Sequence, residues 1–320
     1  MSILSLAEDD VRNWADVPSA IEWLERCFRC FGDGGVRVAP RERVMFDGGA
    51  FHVMAGSLPC EGLVGSKLYT TIFDPAGERR SSYLVAFSTE TGERVAAIES
   101  YWLSLVRTAA TTAVAVKYLG RAQAGTLAII GTGATALLQV EASLRVRPFG
   151  LVRVYSRTPS RRAKVAAEVE DRFGVSARPA DSAAEAVDGA EVIITATNAR
   201  QPILEADWLP PRCLIVAMGS NYPDKRELAT EIVARAEAIF VESTTAARTE
   251  AGDLVMANAE GALDWGSVRE LGSVVAGGQP IEPTAGWFVF KSVGVLPEDL
   301  AMVASLRARS FQSAAREAIP

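Results

Sequence analysis

Apolar positions in the first third of the chain recur at two periods. Ile21, Leu24, Cys27 and Phe28 repeat every three to four residues and predict an amphipathic helix from about Ser19 to Arg29. The glycine-rich turn Gly32-Asp33-Gly34-Gly35 follows it. Short apolar runs then predict strands at Val44–Phe46, Ala50–Met54, Gly65–Ile72, Tyr83–Ser88 and Val95–Glu99, with Thr91-Gly92 as a hairpin turn between the last two. A helix from about Trp102 to Leu119 closes this block.

Beyond it the rhythm changes. Strands at Leu127–Ile130, Leu151–Tyr155, Glu191–Thr195, Cys213–Met218 and Ala238–Val241 alternate with helices, among them Pro159 to Phe173 and shorter ones near Ala183–Val187 and Ala229–Arg235. Such alternation predicts a mostly parallel sheet covered on both faces, with ligands at the carboxyl ends of its strands. Trp287–Phe290 and a helix from Pro297 to about Ala315 break the pattern and are expected to return to the first block. The expected fold class is therefore α/β: a Rossmann dinucleotide-binding domain over residues 120–286, with an α+β domain built from 1–119 and 287–320.

The sharpest local signal is Thr126-Leu-Ala-Ile-Ile130 running into Gly131-Thr132-Gly133-Ala134-Thr135-Ala136. A lone Gly-x-Gly-x-x-Gly/Ala pattern is weak, but here a β-branched strand precedes it and an apolar helix follows. Glycine lets backbone approach a pyrophosphate, and the helix N-terminus supplies free N–H groups and partial positive charge. Gly131, Gly133, Ala134 and Thr135 are thus candidate cofactor contacts. Thr197 and Met218, at the ends of later strands, join them.

The second strand of this unit ends in Tyr155-Ser156-Arg157-Thr158, with Arg161 and Arg162 one turn on. NAD sites place a carboxylate there to bond the ribose 2′-hydroxyl; NADP sites use small polar and basic residues. Ser156, Arg157 and Thr158 favour NADP (NADPH), with NAD possible, because a guanidinium grips phosphate well.

Composition narrows the function classes. A formal charge of −6 leaves no basic stripe for nucleic acid. No apolar run approaches the roughly 20 residues that span a bilayer. The acidic Met1–Asp10 segment lacks a signal-peptide pattern, so a cytoplasmic protein is expected. Cys27, Cys30, Cys60 and Cys213 are read as core cysteines, since Cys27-x-x-Cys30 has no second pair to complete a metal site. His52 is the only histidine, and no metal is expected.

The order of landmarks is more specific than any one of them. Pro40-Arg41, His52-Val-Met54, Gly65-Ser-Lys67, Arg107-Thr-Ala-Ala110, Gly131-x-Gly133 and Ser156-Arg-Thr158 are followed by Gly219-Ser-Asn221, Lys225-Arg-Glu-Leu228, Glu250-Ala-Gly-Asp253, Glu270-Leu-Gly272 and Phe290-Lys-Ser-Val-Gly294. Along almost its whole length the chain resembles the ornithine cyclodeaminase/mu-crystallin family. The resemblance implies an NAD(P)-dependent homodimer whose first domain carries substrate and makes the dimer. It implies that Arg41, Lys67 and Arg107 hold the α-carboxylate of a small amino or imino acid, with Arg43 a rival to Arg41. Ser292 and Val293 would face nicotinamide and substrate.

Two departures from the family's cyclodeaminases bear on the reaction. Where they carry an aspartate, this chain has Asn221, which cannot act as a general base and would orient substrate or water. Where they carry a glutamate for a distal ammonium, this chain has His52, a poor partner for ornithine or lysine. His52 is either a substrate-side residue or a packed strand histidine. Lys67 and Asn221 are the candidate catalytic residues. The expected activity is NADPH-dependent reduction of an imine or ketimine carboxylate, or the reverse oxidation of an amino acid. The alternatives are a cyclodeaminase recycling NAD, and a non-catalytic protein that binds nicotinamide and a small ligand.

Overall fold

Two sheets organise the computed structural model, which describes residues 3–72 and 79–317. The first has seven strands. Leu4–Leu6 runs parallel to Arg94–Glu99 at one edge; Arg79–Ser88, Leu63–Ile72 and Gly49–Leu58 continue antiparallel, and Glu42–Phe46 and Arg37–Val38 both pair with Gly49–Leu58. Side chains alternate in and out along these strands. Met54, Lys67 and Leu84 share one cross-strand row and are buried, whereas in the next row Leu68 and Tyr83 are exposed. The helix Leu296–Glu317 packs on the inner face. Gly65 permits this approach, since a Cβ there would meet Val85 O at 2.4 Å and Leu300 Cδ2 at 3.1 Å.

The second sheet has eight strands, every pair parallel. From one edge they run Ser176–Pro179, Leu151–Tyr155, Thr126–Ile130, Val192–Thr195, Cys213–Ala217, Trp287–Lys291, Ala238–Val241 and Val268–Glu270. Chain direction across the sheet reverses between Thr126–Ile130 and Val192–Thr195, the switch point where doubly wound sheets open a crevice. The helix Tyr101–Leu119 is buried along most of its length and packs against both Val17–Gly32 and Ala136–Val146, joining the two halves. Its alanines and threonines are small enough for that close contact.

The strand Trp287–Lys291 corrects an expectation. It does not return to the first block but is inserted between two strands of the parallel sheet. All five of its residues are buried, and a strand covered on both faces reads as a continuous apolar run with no periodicity to place it. The chain returns only through residues 292–295 to the last helix. The N-terminal strand Leu4–Leu6, the edge strand Ser176–Pro179 and the helices Thr244–Glu250, Gly252–Ala259 and Leu271–Ala276 were not expected from the pattern; all are short.

The cysteines also differ from expectation. Cys27 and Cys213 are buried and free, but Cys30 and Cys60 are joined as a disulfide across Cα atoms 6.4 Å apart. Among the described residues no helix is long and apolar enough to cross a membrane, and no group of His, Cys, Asp or Glu could hold a metal ion.

Candidate active site

The carboxyl ends of the second sheet face the inner surface of the first across a cavity of ≈ 1090 Å³. Among the described residues lining it are six cations, Arg41, Lys67, Arg107, Arg157, Arg161 and Arg200, and no carboxylate. Such a cavity suits a ligand, or a pair of ligands, carrying anionic groups at separate points.

At one end lies the glycine turn. Gly131 has φ +122°, and a Cβ there would press on Ala196 O at 2.4 Å. A Cβ on Gly133 would meet nothing within 4 Å, so the backbone before the helix Ala136–Val146 is open to a ligand. Ala134, Thr135, Thr197 and Met218 line the same end. This cradle fits a dinucleotide pyrophosphate. Ser156, Arg157, Thr158 and Arg161, at and just beyond the end of the neighbouring strand Leu151–Tyr155, line the cavity as well. Arg162 is engaged elsewhere: it pairs with Asp181 and donates to Ser156 O at 3.2 Å.

A buried carboxylate shapes this end from behind. Glu227 accepts from Thr195 Oγ1 at 2.8 Å, Thr197 N at 2.8 Å, Thr197 Oγ1 at 2.7 Å and Gly219 N at 2.8 Å. It thereby ties together the carboxyl ends of two adjacent strands. Burial raises its pKa despite the nearby Lys291. Asp253 in turn accepts from Glu227 N and Leu228 N, at 2.7 and 2.9 Å, and pairs with Lys291 Nζ at 2.9 Å.

At the other end the three expected carboxylate-binding cations meet, each already beside an acid. Arg41 Nη1 lies 2.9 Å from Glu250 Oε2, and its Nη2 donates to Val293 O and Gly294 O at 3.0 and 2.9 Å. Lys67 Nζ donates to Asp299 Oδ1 at 2.7 Å and to Ser104 Oγ. Arg107 Nη1 donates to Glu298 Oε2 at 3.0 Å. Burial and the neighbouring Arg107 and Arg41 lower the Lys67 pKa to about 8, although Asp299 opposes them. Burial and Glu242 raise the Glu298 pKa to about 7 against the pull of Arg107.

Asn221, Ser292 and Val293 line the cavity between its two ends. Ser292 Oγ and the amides of Val293 and Gly294 donate to Glu242, which fixes that stretch of backbone. Arg41, not Arg43, reaches the lining; Arg43 lies over the Tyr222 ring and donates to Asn221 O at 2.5 Å. His52 is buried and stacked on Tyr69 with ring centroids 4.2 Å apart, outside the cavity lining. The packed strand histidine is the reading its position supports.

Sequence reasoning missed the acids behind these cations. Glu227, Glu250 and Asp253 stood inside motifs that marked the family, yet spacing alone assigned them no partner. Glu298 and Asp299 follow Pro297 in the first turn of a helix, where acidic residues are ordinary.

The ornithine cyclodeaminase/mu-crystallin family model matches residues 3–313. The chain is 34% identical over 266 residues to a Delta(1)-pyrroline-2-carboxylate reductase of Bacillus cereus, covering 81% of this chain and 82% of that protein. An archaeal alanine dehydrogenase, solved as a dimer with bound NAD, superposes with a TM-score of 0.90 at 27% identity, covering 98% of this chain and 97% of that one. The Delta(1)-pyrroline-2-carboxylate reductase of Thermococcus litoralis, solved with NADH and L-proline, also gives a TM-score of 0.90, at 26% identity over 98% of both chains. The chain belongs to the ornithine cyclodeaminase/mu-crystallin family and is an oxidoreductase of it, built to work with a nicotinamide dinucleotide.

Proposed function

We propose that the chain reduces a small cyclic imine carboxylate to the corresponding amino acid, with NADPH as the preferred donor. The observation that carries this reading is a single cavity with six cations and no carboxylate among its described lining residues: a dinucleotide cradle at one end, three cations at the other. Lys67, Arg107 and Arg41 hold the substrate carboxylate and fix the imine carbon toward the cofactor. When bound, the dihydronicotinamide would supply the hydride to the carbon of an imine whose nitrogen already carries a proton taken from solvent, so that hydride addition completes the amine. Lys67, with a pKa of about 8, is cationic at neutral pH and serves as carboxylate clamp. Asn221 orients the imine or a water, since an amide neither takes nor gives a proton there. Arg157 and Arg161 receive the 2′-phosphate. The relatives that reduce pyrroline-2-carboxylate support the substrate class.

The active form is a homodimer. Val44, Val64, Leu68, Tyr83 and Phe87 are exposed large hydrophobics on the strands of the first sheet, and all but Val44 pair across neighbouring strands in two rows of its outer face. A second copy covers it, as apolar patches of this kind call for a partner.

The test is NADPH and NADH consumption against Delta(1)-pyrroline-2-carboxylate, its six-membered homologue, and 2-oxo acids with ammonia or methylamine. Turnover of the cyclic imines with NADPH preferred is the expected result. Silence on all of them, with ammonia released from diamino acids, would replace reduction by cyclodeamination.

A further inference from the structure

We propose that Asp299 is a positioning residue: one buried carboxylate that holds both Lys67 and Arg107 in place and keeps Lys67 charged for the substrate carboxylate. The assignment rests on the reading of Lys67 and Arg107 as substrate-binding cations. Asp299 sits in the first turn of the helix Leu296–Glu317 and is fully buried. Its Oδ1 accepts from Lys67 Nζ at 2.7 Å and lies 3.6 Å from Arg107 Nε. Its Oδ2 is buried and takes no hydrogen bond from the described residues. The two cations come from different elements, Lys67 from the strand Leu63–Ile72 and Arg107 from the helix Tyr101–Leu119. Asp299 is where those elements and the last helix meet.

Its geometry differs from that of its neighbour. Glu298 has its own set of donors, Arg107 Nη1, Thr111 Oγ1 at 2.7 Å and Val295 N at 3.1 Å, and braces the helix start. Among the described residues the Asp299 carboxylate has no donor but Lys67, so its charge is spent on the two cations. Because both cations line the cavity and Asp299 does not, it acts through them. Around Lys67 the charged and titratable groups are Asp299 and, through Arg107, Glu298 and Glu242; Arg107 and Arg41 as like charges; and the Tyr69 ring 6.0 Å from Nζ. Ser104 Oγ completes the set as a neutral acceptor. Asp299 is therefore the only carboxylate bonded to Lys67 among the described residues. Burial works against its ionised form, yet Lys67 and Arg107 hold its carboxyl below the usual range.

The experiment is competitive labelling of the full chain with acetic anhydride across pH 6–11, reading the Lys67 peptide by mass spectrometry, in wild type and Asp299→Asn. It needs no substrate. The Lys67 labelling midpoint is expected near 8 in wild type and at least about one unit lower in D299N, because a buried lysine without its counter-charge gives up its proton. In parallel, kcat/KM for the cyclic imine should fall on the order of a hundredfold in D299N, with KM for NADPH within about twofold of wild type. An unchanged midpoint, or a loss of NADPH binding matching the loss of turnover, would overturn the assignment. Asp299→Glu keeps the charge on a longer stem. It should restore the midpoint while imine KM stays raised, and turnover equal to wild type would show that the position of the carboxylate is immaterial. If wild type reduces no imine but the midpoint still shifts in D299N, the function reading fails and the Asp299–Lys67 link stands.

Discussion

A side chain on Gly294 would put its first carbon 2.8 Å from both terminal nitrogens of Arg107. The glycine is thus part of the substrate end: it turns the chain at φ +72° and leaves the guanidinium room. Gly34 offers a matched control, with φ +76° and nothing within 4 Å of where a Cβ would sit. Gly34→Ala and Gly294→Ala share the cost of left-handed backbone, about 1–2 kcal/mol. Only the second displaces Arg107. Both variants should lose a few degrees of Tm, and G294A alone should raise imine KM by about tenfold or more. Equal KM values in the two variants would separate Gly294 from the site.

Glu227 is expected to be a stability determinant and a cofactor-loop determinant at once. Glu227→Ala strips the acceptor from the buried Thr195 hydroxyl and from the part-buried donors of Thr197 and Gly219 at the cavity wall. At about 1–3 kcal/mol for the buried Thr195 hydroxyl, and roughly 0.5–1.5 kcal/mol for each bond lost at the cavity wall, the loss is a few kcal/mol. For a chain of this length that corresponds to a Tm fall of about 5 °C or more. Thr197 and Gly219 also line the cofactor end, so NADPH KM should rise in whatever fraction folds. Thermal melts with and without NADPH would read both effects.

How much of this was legible beforehand follows from the kind of signal each part leaves. The strand and glycine turn from Thr126 to Ala136 were readable because a strand, a turn and a helix each impose a local composition. The strand Trp287–Lys291 was misplaced because its neighbours in the sheet are set by tertiary pairing that no local pattern records. Lys67, Arg107 and Arg41 were findable through the family's order of motifs. Their counter-charges were not, since Asp299 and Lys67 are 232 positions apart and Glu250 and Arg41 are 209 apart. The sequence pointed to three cations awaiting a carboxylate; folding adds that each already has an acid beside it. His52 shows the reverse case, a rare residue type that drew a functional reading and packs against Tyr69 outside the cavity.

Arg157 should set the choice between NADPH and NADH. It lines the cavity with Arg161, while Arg162 is committed to Asp181. A charge-assisted bond to phosphate contributes about 1.5–3 kcal/mol, or roughly ten- to a hundredfold. Arg157→Ala should therefore raise NADPH KM by that factor and leave NADH KM unchanged. Arg162→Ala should affect the two cofactors alike. Steady-state kinetics with both cofactors at fixed imine would decide it, and equal losses for R157A would remove the phosphate role.

The exposed sheet face predicts the oligomeric state. Leu68 pairs with Tyr83 and Val64 with Phe87 across adjacent strands, so one charged residue in each row disrupts the whole face. Leu68→Glu and Val64→Lys should convert a dimer into a monomer by light scattering, with secondary structure retained. A wild-type monomer at micromolar concentration would contradict the expected assembly.

Glu298 should leave a mark on the pH dependence of stability. Its pKa is raised from 4.5 to about 7, burial being the main cause and Glu242 adding to it. Between those values the folded chain holds a proton that the unfolded chain has released. The stabilisation is thus complete below the unfolded pKa and is lost as pH rises through about 7. Its slope is on the order of 1 kcal/mol per pH unit across that window. Glu298→Gln carries its hydrogen permanently and should flatten the window, so the difference in Tm between wild type and E298Q should shift in favour of E298Q as pH goes from 5 to 7.5. Above pH 7 the ionised carboxylate also holds Arg107 more firmly, so imine KM should rise there in wild type and less in E298Q. Parallel Tm curves for the two proteins over this range would mean that Glu298 is ionised throughout and that Arg107 alone sets its state.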